Sequence, residues 1–210
     1  MNSGYQMDLV ALAADVDCER LLRGLLPRHQ SLAIRPVTVD YLVHTKQDTG
    51  CLRRSSELLR RYTRSHAHAL VLFDRQGCGR ESLSRVELEK EVETELHACG
   101  WEDRAAVIVL DPELEIWVWS GSSQVDLALG WAAHHPDLRS WLIERGFLTG
   151  RSVKPSQPKE ALQEALRVSH RVRSSRIYQD LASRVSLSRC TDPAFLKLKS
   201  VLQSWFPPEH

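Results

Sequence analysis

The stretch HALVLFDRQGCGRE (68–81) decides the fold class of this chain. It opens with a run of mainly apolar residues that ends at Asp74, and a glycine-containing turn begins directly after that acid. A continuous apolar run of this length is typical of a strand that is buried on both faces, as in parallel sheets. We therefore expect Asp74 to lie at the carboxyl end of a buried strand, which is the sheet edge where α/β proteins bind ligands.

Strand and helix patterns alternate around this stretch. Apolar or β-branched runs predict four strands, at 7–17, 34–44, 68–73 and 105–111. Amphipathic segments follow each of the first three, and the third has the capping-box spacing of Ser84 and Glu87 at its start. This alternation predicts an α/β fold with a mainly parallel sheet flanked by helices.

After Pro112 the pattern becomes helical to the end of the chain. Pro158 and Pro193 stand where helices commonly begin, and the stretch TGRSVKPSQP (149–158) has the composition of a linker. We predict an α/β core over residues 1–120 and a helical C-terminal part over 121–210 that packs on the core.

Composition and charge exclude several classes of protein. The 210 residues carry a formal net charge of +1, so the whole molecule is not a general polyanion binder. Five scattered cysteines form no C-x-x-C pair, which argues against a disulfide framework or a zinc knuckle. No leader pattern and no apolar run of roughly 20 residues is visible, so we expect a cytoplasmic protein that does not bind membranes.

Acidic residues stand at the ends of three predicted strands. Carboxylates gathered at one sheet edge suit Mg²⁺ or Mn²⁺, since a cation offsets their mutual repulsion. The alternative is that each acid caps a helix or turn by accepting backbone N–H groups. The predicted ligands are Asp15, Asp17, Asp74, Asp111 and Glu115.

The turn after Asp74 is a candidate phosphate loop. Gly77 and Gly79 permit a close approach of the backbone to a ligand, and Arg75 and Arg80 could pair with a phosphate. A tight turn explains the same spacing, and the chain has no G-x-x-x-x-G-K-[ST] motif.

Three segments resemble Toprim-like proteins of bacterial antiphage defence. LVLFDRQGCG (70–79) resembles the Asp-x-Asp region of that family, and LEIWVW (114–119) resembles its Glu-x-Trp motif through Glu115 and Trp117. CTDPAFLKLKSVLQSWFP (190–207) is similar to the aromatic tail of one group of these proteins. The whole chain also resembles a small component of the methylation-associated defence system.

The resemblance implies a metal-dependent cleavage or transfer at a phosphodiester, with water as the nucleophile. Asp74, Glu115 and Arg75 would be the catalytic residues, and the partners would be other subunits of the defence system. The chain departs from the family pattern at Gln76, which replaces the second acid of Asp-x-Asp, and after the first strand, where aspartates replace a glutamate. These departures leave open a second function, that of a non-catalytic interaction or regulatory subunit.

A basic helix pattern follows the second predicted strand. Arg53, Arg54, Arg60 and Arg61 could contact the phosphates of DNA or RNA, and a solvated helix face is the alternative. Six tryptophans could stack on bases, but packing between the sheet and the C-terminal helices explains them more simply.

Overall fold

The computed structural model describes residues 4–149, 152, 154–188 and 190–208. Within these residues, four parallel strands form one sheet in the order β2-β1-β3-β4. The strands are β1 (Met7–Ala13), β2 (Val39–Val43), β3 (His66–Asp74) and β4 (Ala105–Leu110). The predicted α/β class, with a mainly parallel sheet, is therefore confirmed.

The strand order places a topological switch point between β1 and β3. The chain passes from β1 to one side of the sheet and then crosses back to build β3 and β4 on the other side. Helices that leave neighbouring strands in opposite directions open a crevice at the carboxyl ends of those strands. The acids that follow β1 and that end β3 border this crevice.

Ten α-helices flank the sheet within the described residues. They are α1 (Val16–Leu25), α2 (His29–Leu32), α3 (Gln47–Leu59), α4 (Arg85–Leu96), α5 (Glu115–Val118), α6 (Ser123–Ala128), α7 (Leu138–Glu144), α8 (Pro158–Val168), α9 (Arg176–Arg184) and α10 (Pro193–Trp205). None of the described helices is long and apolar enough to cross a membrane.

The two faces of the sheet build two apolar clusters. Helices α3 and α4 cover one face, where Val71 and Phe73 of β3 pack with Leu52 and Leu88. Helix α1 and the C-terminal helices cover the other face, where β3 contributes Leu70 and Leu72. The C-terminal helices thus bury their apolar sides against the sheet, although the division of the chain at residue 120 remains a prediction.

Tryptophans serve the core, as predicted. Trp101, Trp119, Trp131 and Trp141 are at most 5% exposed. The indole N–H groups of Trp119 and Trp131 donate to backbone carbonyls of α8, so their polar ends are satisfied within the apolar layer.

Element ends differ from the sequence pattern where local caps intervene. Strand β1 ends at Ala13 rather than at residue 17 because Asp15 caps α1, accepting the N–H of Cys18 at 2.8 Å. Helix α6 ends at Ala128, within the stretch whose pattern is helical, and Gly130 adopts a positive φ of 76° just beyond it. The capping box of Ser84 and Glu87 is present. Part of the predicted linker at 149–158 lies outside the described residues.

The outer edge of β4 is closed by side chains of α4. The carboxylates of Glu89 and Glu93 accept the N–H groups of Val109 and Val107 at 3.1 and 2.9 Å. Lys197 of α10 donates to both carboxylates. These bonds satisfy backbone donors that would otherwise invite pairing with another strand.

Candidate metal centre

Three carboxylates meet at the carboxyl end of the sheet. Asp74 is the last residue of β3, Glu113 lies in the loop after β4, and Glu115 begins α5. One oxygen from each lies within 4.8 Å of the others, and both glutamates are buried, at 3% and 2% exposure. Because β3 and β4 are parallel neighbours, the segments that follow them converge at one edge.

Asp74 carries a buried oxygen that nothing in the described structure satisfies. Its Oδ1 is buried and has no hydrogen-bond partner there. Burial raises the pKa of this carboxyl well above its usual value, and the neighbouring carboxylates of Asp48 and Glu115 raise it further. A buried, unsatisfied carboxylate oxygen is costly unless a proton or a cation compensates it. Asp74 is therefore the residue that most needs a ligand.

Asp48 supports Asp74 from the first turn of α3. Its Oδ1 accepts the backbone N–H of Asp74 at 2.8 Å. Burial raises the pKa of Asp48, and the Asp15 carboxylate adds to that rise. The sequence pattern does not single out Asp48, because this residue falls between the second predicted strand and the basic helix pattern that follows it. The available signal was an acid following the second strand, at the same sheet edge as the other acids.

Lys159 holds Glu113. The ammonium nitrogen of Lys159 lies 3.2 Å from Glu113 Oε2, and its backbone N–H donates to Oε1, also at 3.2 Å. Burial raises the pKa of Glu113, and the nearby Glu115 carboxylate raises it further. Burial acts to lower the pKa of Lys159, but Glu115 and Glu113 outweigh it and raise that pKa. The lysine is therefore charged and serves as a counter-ion from α8.

Arg173 and Tyr178 hold Glu115. The tyrosine hydroxyl donates to Glu115 Oε1 at 2.8 Å, and the Arg173 guanidinium donates to the same oxygen at 2.9 Å. Burial and the Glu115 carboxylate raise the pKa of Tyr178, so the phenol remains a neutral donor. Arg173 also reaches Asp17 at 3.3 Å. These contacts orient Glu115 toward the cluster.

The charges around the cluster leave room for a divalent cation. The set of Asp48, Asp74, Glu113 and Glu115 supplies four carboxylates, whereas Lys159 and Arg173 are the cations that contact the set among the described residues. With every carboxyl ionised, two negative charges stay uncompensated. A divalent ion would neutralise them, and this balance fits the raised pKa of Asp74.

The donor chemistry favours a hard cation. The three carboxylates offer oxygen ligands only, the kind that Mg²⁺ and Mn²⁺ prefer. Cys18 lies near the cluster, but burial raises the pKa of its thiol well above the usual value, as does the Asp74 carboxylate. Among the described residues, Cys18 is not one of the three side chains whose ligand atoms meet, so the group itself offers no sulfur ligand of the kind that zinc prefers.

The predicted metal ligands fall into two groups. The structure brings Asp74 and Glu115 together and adds Glu113, which follows the fourth predicted strand. Asp15 caps α1, and Asp17 pairs with Arg173 at the margin of the cluster. Asp111 is 43% exposed in its side chain and pairs with Arg75 at 2.8 Å, outside the group of three.

The predicted phosphate loop is occupied by its own side chains. The Glu81 carboxylate accepts the N–H groups of Gly77 and Gly79 at 3.0 and 3.1 Å, and both glycines have positive φ. Arg75 holds Asp111 and the Glu81 carbonyl, while Arg80 pairs with Glu91 at 2.5 Å. In this conformation both arginines of the turn are engaged in ion pairs, and the Glu81 carboxylate occupies the N–H groups that a phosphate would need.

Gln76 does not take part in the cluster. Its side chain is exposed, and its backbone N–H donates to the Pro112 carbonyl at 2.9 Å. Gln76, which stands where Asp-x-Asp has its second acid, thus points away from the group of three carboxylates. The structure supplies the additional carboxylates from the segment after β4 instead.

Comparison of the chain with protein-family models, curated proteins and solved structures finds no match.

Proposed function

We propose that this protein binds Mg²⁺ or Mn²⁺ through Asp74, Glu113 and Glu115 and cleaves a phosphodiester of nucleic acid. The observation that carries the proposal is the buried, unsatisfied Oδ1 of Asp74 within a group of three carboxylates. An ion at such a site polarises a phosphoryl oxygen and lowers the pKa of a bound water. The resemblance to Toprim-like antiphage proteins supports this choice of reaction and suggests a role in bacterial defence.

The side chains of this chain have distinct parts in the proposed reaction. Tyr178 and Arg173 fix the orientation of Glu115, and Asp48 fixes the backbone at Asp74. Lys159 is the cation that a substrate phosphate could recruit, since 41% of its side chain is exposed beside the cluster. Arg75, named from the sequence as a catalytic residue, would first have to leave Asp111.

A cleavage assay with a matched mutant tests the proposal. Purified protein should cut labelled single-stranded or duplex nucleic acid with Mg²⁺ or Mn²⁺ and not with EDTA. Asp74→Asn keeps the size of the side chain and removes its charge, so activity should be lost while the fold is retained. Asp103→Asn removes a fully exposed carboxylate that precedes β4 and lies outside the group of three, and it should leave activity unchanged. Equal activity of Asp74→Asn and the wild type would refute the assignment.

The second candidate function is a non-catalytic interaction or regulatory subunit of a defence complex. The observation that favours it is that Lys159 and Arg173 already pair with two of the three carboxylates. Under this alternative the acids stabilise the C-terminal helices on the sheet. Asp74→Asn would then leave antiphage defence and the co-purification of partner subunits unchanged.

A cytoplasmic location belongs to the same proposal. All five cysteines are free thiols, which fits a reducing compartment.

A further inference from the structure

Positive charge is concentrated on α3 and on the residues directly before and after it, including the 3-10 segment Arg60–Tyr62. Residues 46–64 contain six basic and two acidic side chains, a net charge of +4 in a chain whose total is +1. All six basic side chains are exposed. They are Lys46, Arg53, Arg54, Arg60, Arg61 and Arg64, and we call them the basic face.

The cations of the basic face differ from those near the carboxylate cluster. None of the six cations of the basic face forms an ion pair within the described part of the chain, whereas Arg75, Arg80 and Lys159 all do. One of the two acids in the segment, Asp48, turns its carboxylate toward Asp74. An exposed helix face with this much uncompensated charge raises the local concentration of anions.

A groove collects part of this charge. Arg54, Arg61 and Lys46 line a concave surface of about 340 Å³ together with His44 and Glu57. Burial lowers the pKa of His44, and the positive charges of Arg54 and Lys46 lower it further. The cations therefore contribute positive potential to the same groove.

Helix α3 connects the basic face to the region of the carboxylate cluster. Helix α3 begins beside the cluster, where Asp48 binds the backbone of Asp74 and the Thr49 hydroxyl donates to the Gly77 carbonyl at 3.3 Å. Arg61 lies 13 residues further along, which corresponds to about 20 Å at 1.5 Å per residue. At roughly 3.4 Å per nucleotide, that distance matches about six nucleotides of one strand.

We propose that the basic face binds the phosphodiester backbone of a nucleic-acid strand and leads it toward the carboxylate cluster. The direction of the strand rests on the proposed function, whereas binding does not. An anionic membrane is the less suitable partner, because none of the exposed large apolar side chains found in the described structure lies between residues 46 and 64.

Binding should be measured by fluorescence anisotropy in EDTA, with labelled single-stranded DNA and RNA oligonucleotides between about 50 and 200 mM KCl. The logarithm of the binding constant falls linearly with the logarithm of the salt concentration. For a single strand, each lost phosphate contact makes this negative slope shallower by roughly 0.7. At 0.1 M salt, that change corresponds to about a fivefold loss of affinity, so Arg54→Ala with Arg61→Ala should weaken binding about 25-fold.

The matched control is Lys90→Ala with Arg184→Ala. It removes the same charge from two exposed cations on α4 and α9. This control should retain the slope and most of the affinity, and circular dichroism should show that both double mutants are folded. Equal losses in the two double mutants would overturn the assignment of the groove, as would binding to phosphatidylserine vesicles without binding to either oligonucleotide.

Binding by the basic face and cleavage at the carboxylate cluster can be tested separately. Asp74→Asn should bind the oligonucleotides as tightly as the wild type, because the basic face needs no metal ion. Arginine-dependent binding without cleavage would uphold the basic face and refute the nuclease. If the double mutant of Arg54 and Arg61 still cleaved the oligonucleotides and bound them with unchanged affinity, the role of the basic face would be refuted and the proposed nuclease would not.

Discussion

Replacing Lys159 with methionine tests whether a cation is needed at the carboxylate cluster. Methionine preserves most of the side-chain length and removes the ammonium group that lies 3.2 Å from Glu113 Oε2. The Glu113 side chain is 4% exposed, so its carboxylate would lose its counter-ion in a buried setting. The backbone N–H of residue 159 would still reach Oε1.

The expected cost follows from burial and exposure. Removing one partner of a buried ion pair costs about 3–5 kcal/mol. Because 41% of the Lys159 side chain is exposed, solvent screens the pair, and we expect a loss of roughly 2 kcal/mol in the free energy of unfolding. For a chain of 210 residues, that loss lowers Tm by about 4–8 °C.

Divalent ions should reverse much of this loss if the cluster is a metal site. A bound ion supplies the positive charge that Glu113 has lost, and it binds more tightly without the competing ammonium. Ligand at 100 times its Kd stabilises a protein by about 2.7 kcal/mol. Thermal unfolding followed by circular dichroism, in EDTA and in millimolar Mg²⁺ or Mn²⁺, should show a smaller mutant penalty with the ion.

Lys154→Met is the matched control for this experiment. Lys154 pairs at 2.8 Å with Asp192, whose side chain is 10% exposed, and neither residue belongs to the group of three carboxylates. Its Tm loss should be the same in EDTA and in Mg²⁺. The metal site is refuted if Lys159→Met loses as much Tm in Mg²⁺ as in EDTA, or if the ion restores the Tm of Lys154→Met to the same extent.

Three further predictions concern stability. The hydrogen bond from Arg35 is the main cause that lowers the pKa of Asp8 to about 2. The stability that ionised Asp8 contributes is therefore present above pH 4 and is lost between pH 4 and 2. After allowance for exposure the loss is about 1 kcal/mol, and urea unfolding of Asp8→Asn should show a flatter acid limb. Burial lowers the pKa of His68 to about 4. A histidine whose pKa is lowered by folding contributes stability above its usual pKa and loses that stability as the pH falls. NMR titration of His68 should place the midpoint near 4. Glu89→Ala leaves the Val109 N–H without an acceptor and should cost about 3 kcal/mol, with dimerisation through β4 visible by light scattering; an unchanged Tm would contradict this account of the edge.

The sequence predicts the sheet well because strand burial leaves a direct pattern. The apolar run before Asp74 predicts a strand covered on both faces, and β3 is such a strand. The spacing of Ser84 and Glu87 predicts a helix start correctly, because a capping box depends on residues three positions apart. These are local relations that one chain segment carries by itself.

The composition of the acidic cluster could be predicted only in part. Asp74 and Glu115 follow from their places at strand ends, but the choice between Asp111 and Glu113 depends on how the loop after β4 turns. That loop directs Glu113 inward and leaves Asp111 with Arg75. No periodicity in the sequence reports such a turn.

The cations of the cluster lie far from it in sequence. Lys159 contacts Glu113 across 46 residues, and Arg173 contacts Glu115 across 58. Their segments show only helical spacing or an exposed basic composition. Such pairs arise when the C-terminal helices pack on the sheet, and a single sequence carries no signal of which side chains that packing brings together.

The central claim is that Asp74, Glu113 and Glu115 bind a divalent cation. Its most direct test is a calorimetric titration of the purified protein with Mn²⁺ and Mg²⁺, alongside Asp74→Asn. We predict saturable binding by the wild type and its loss in the mutant. The absence of binding in the wild type, or binding that is equal in both proteins, would contradict the claim.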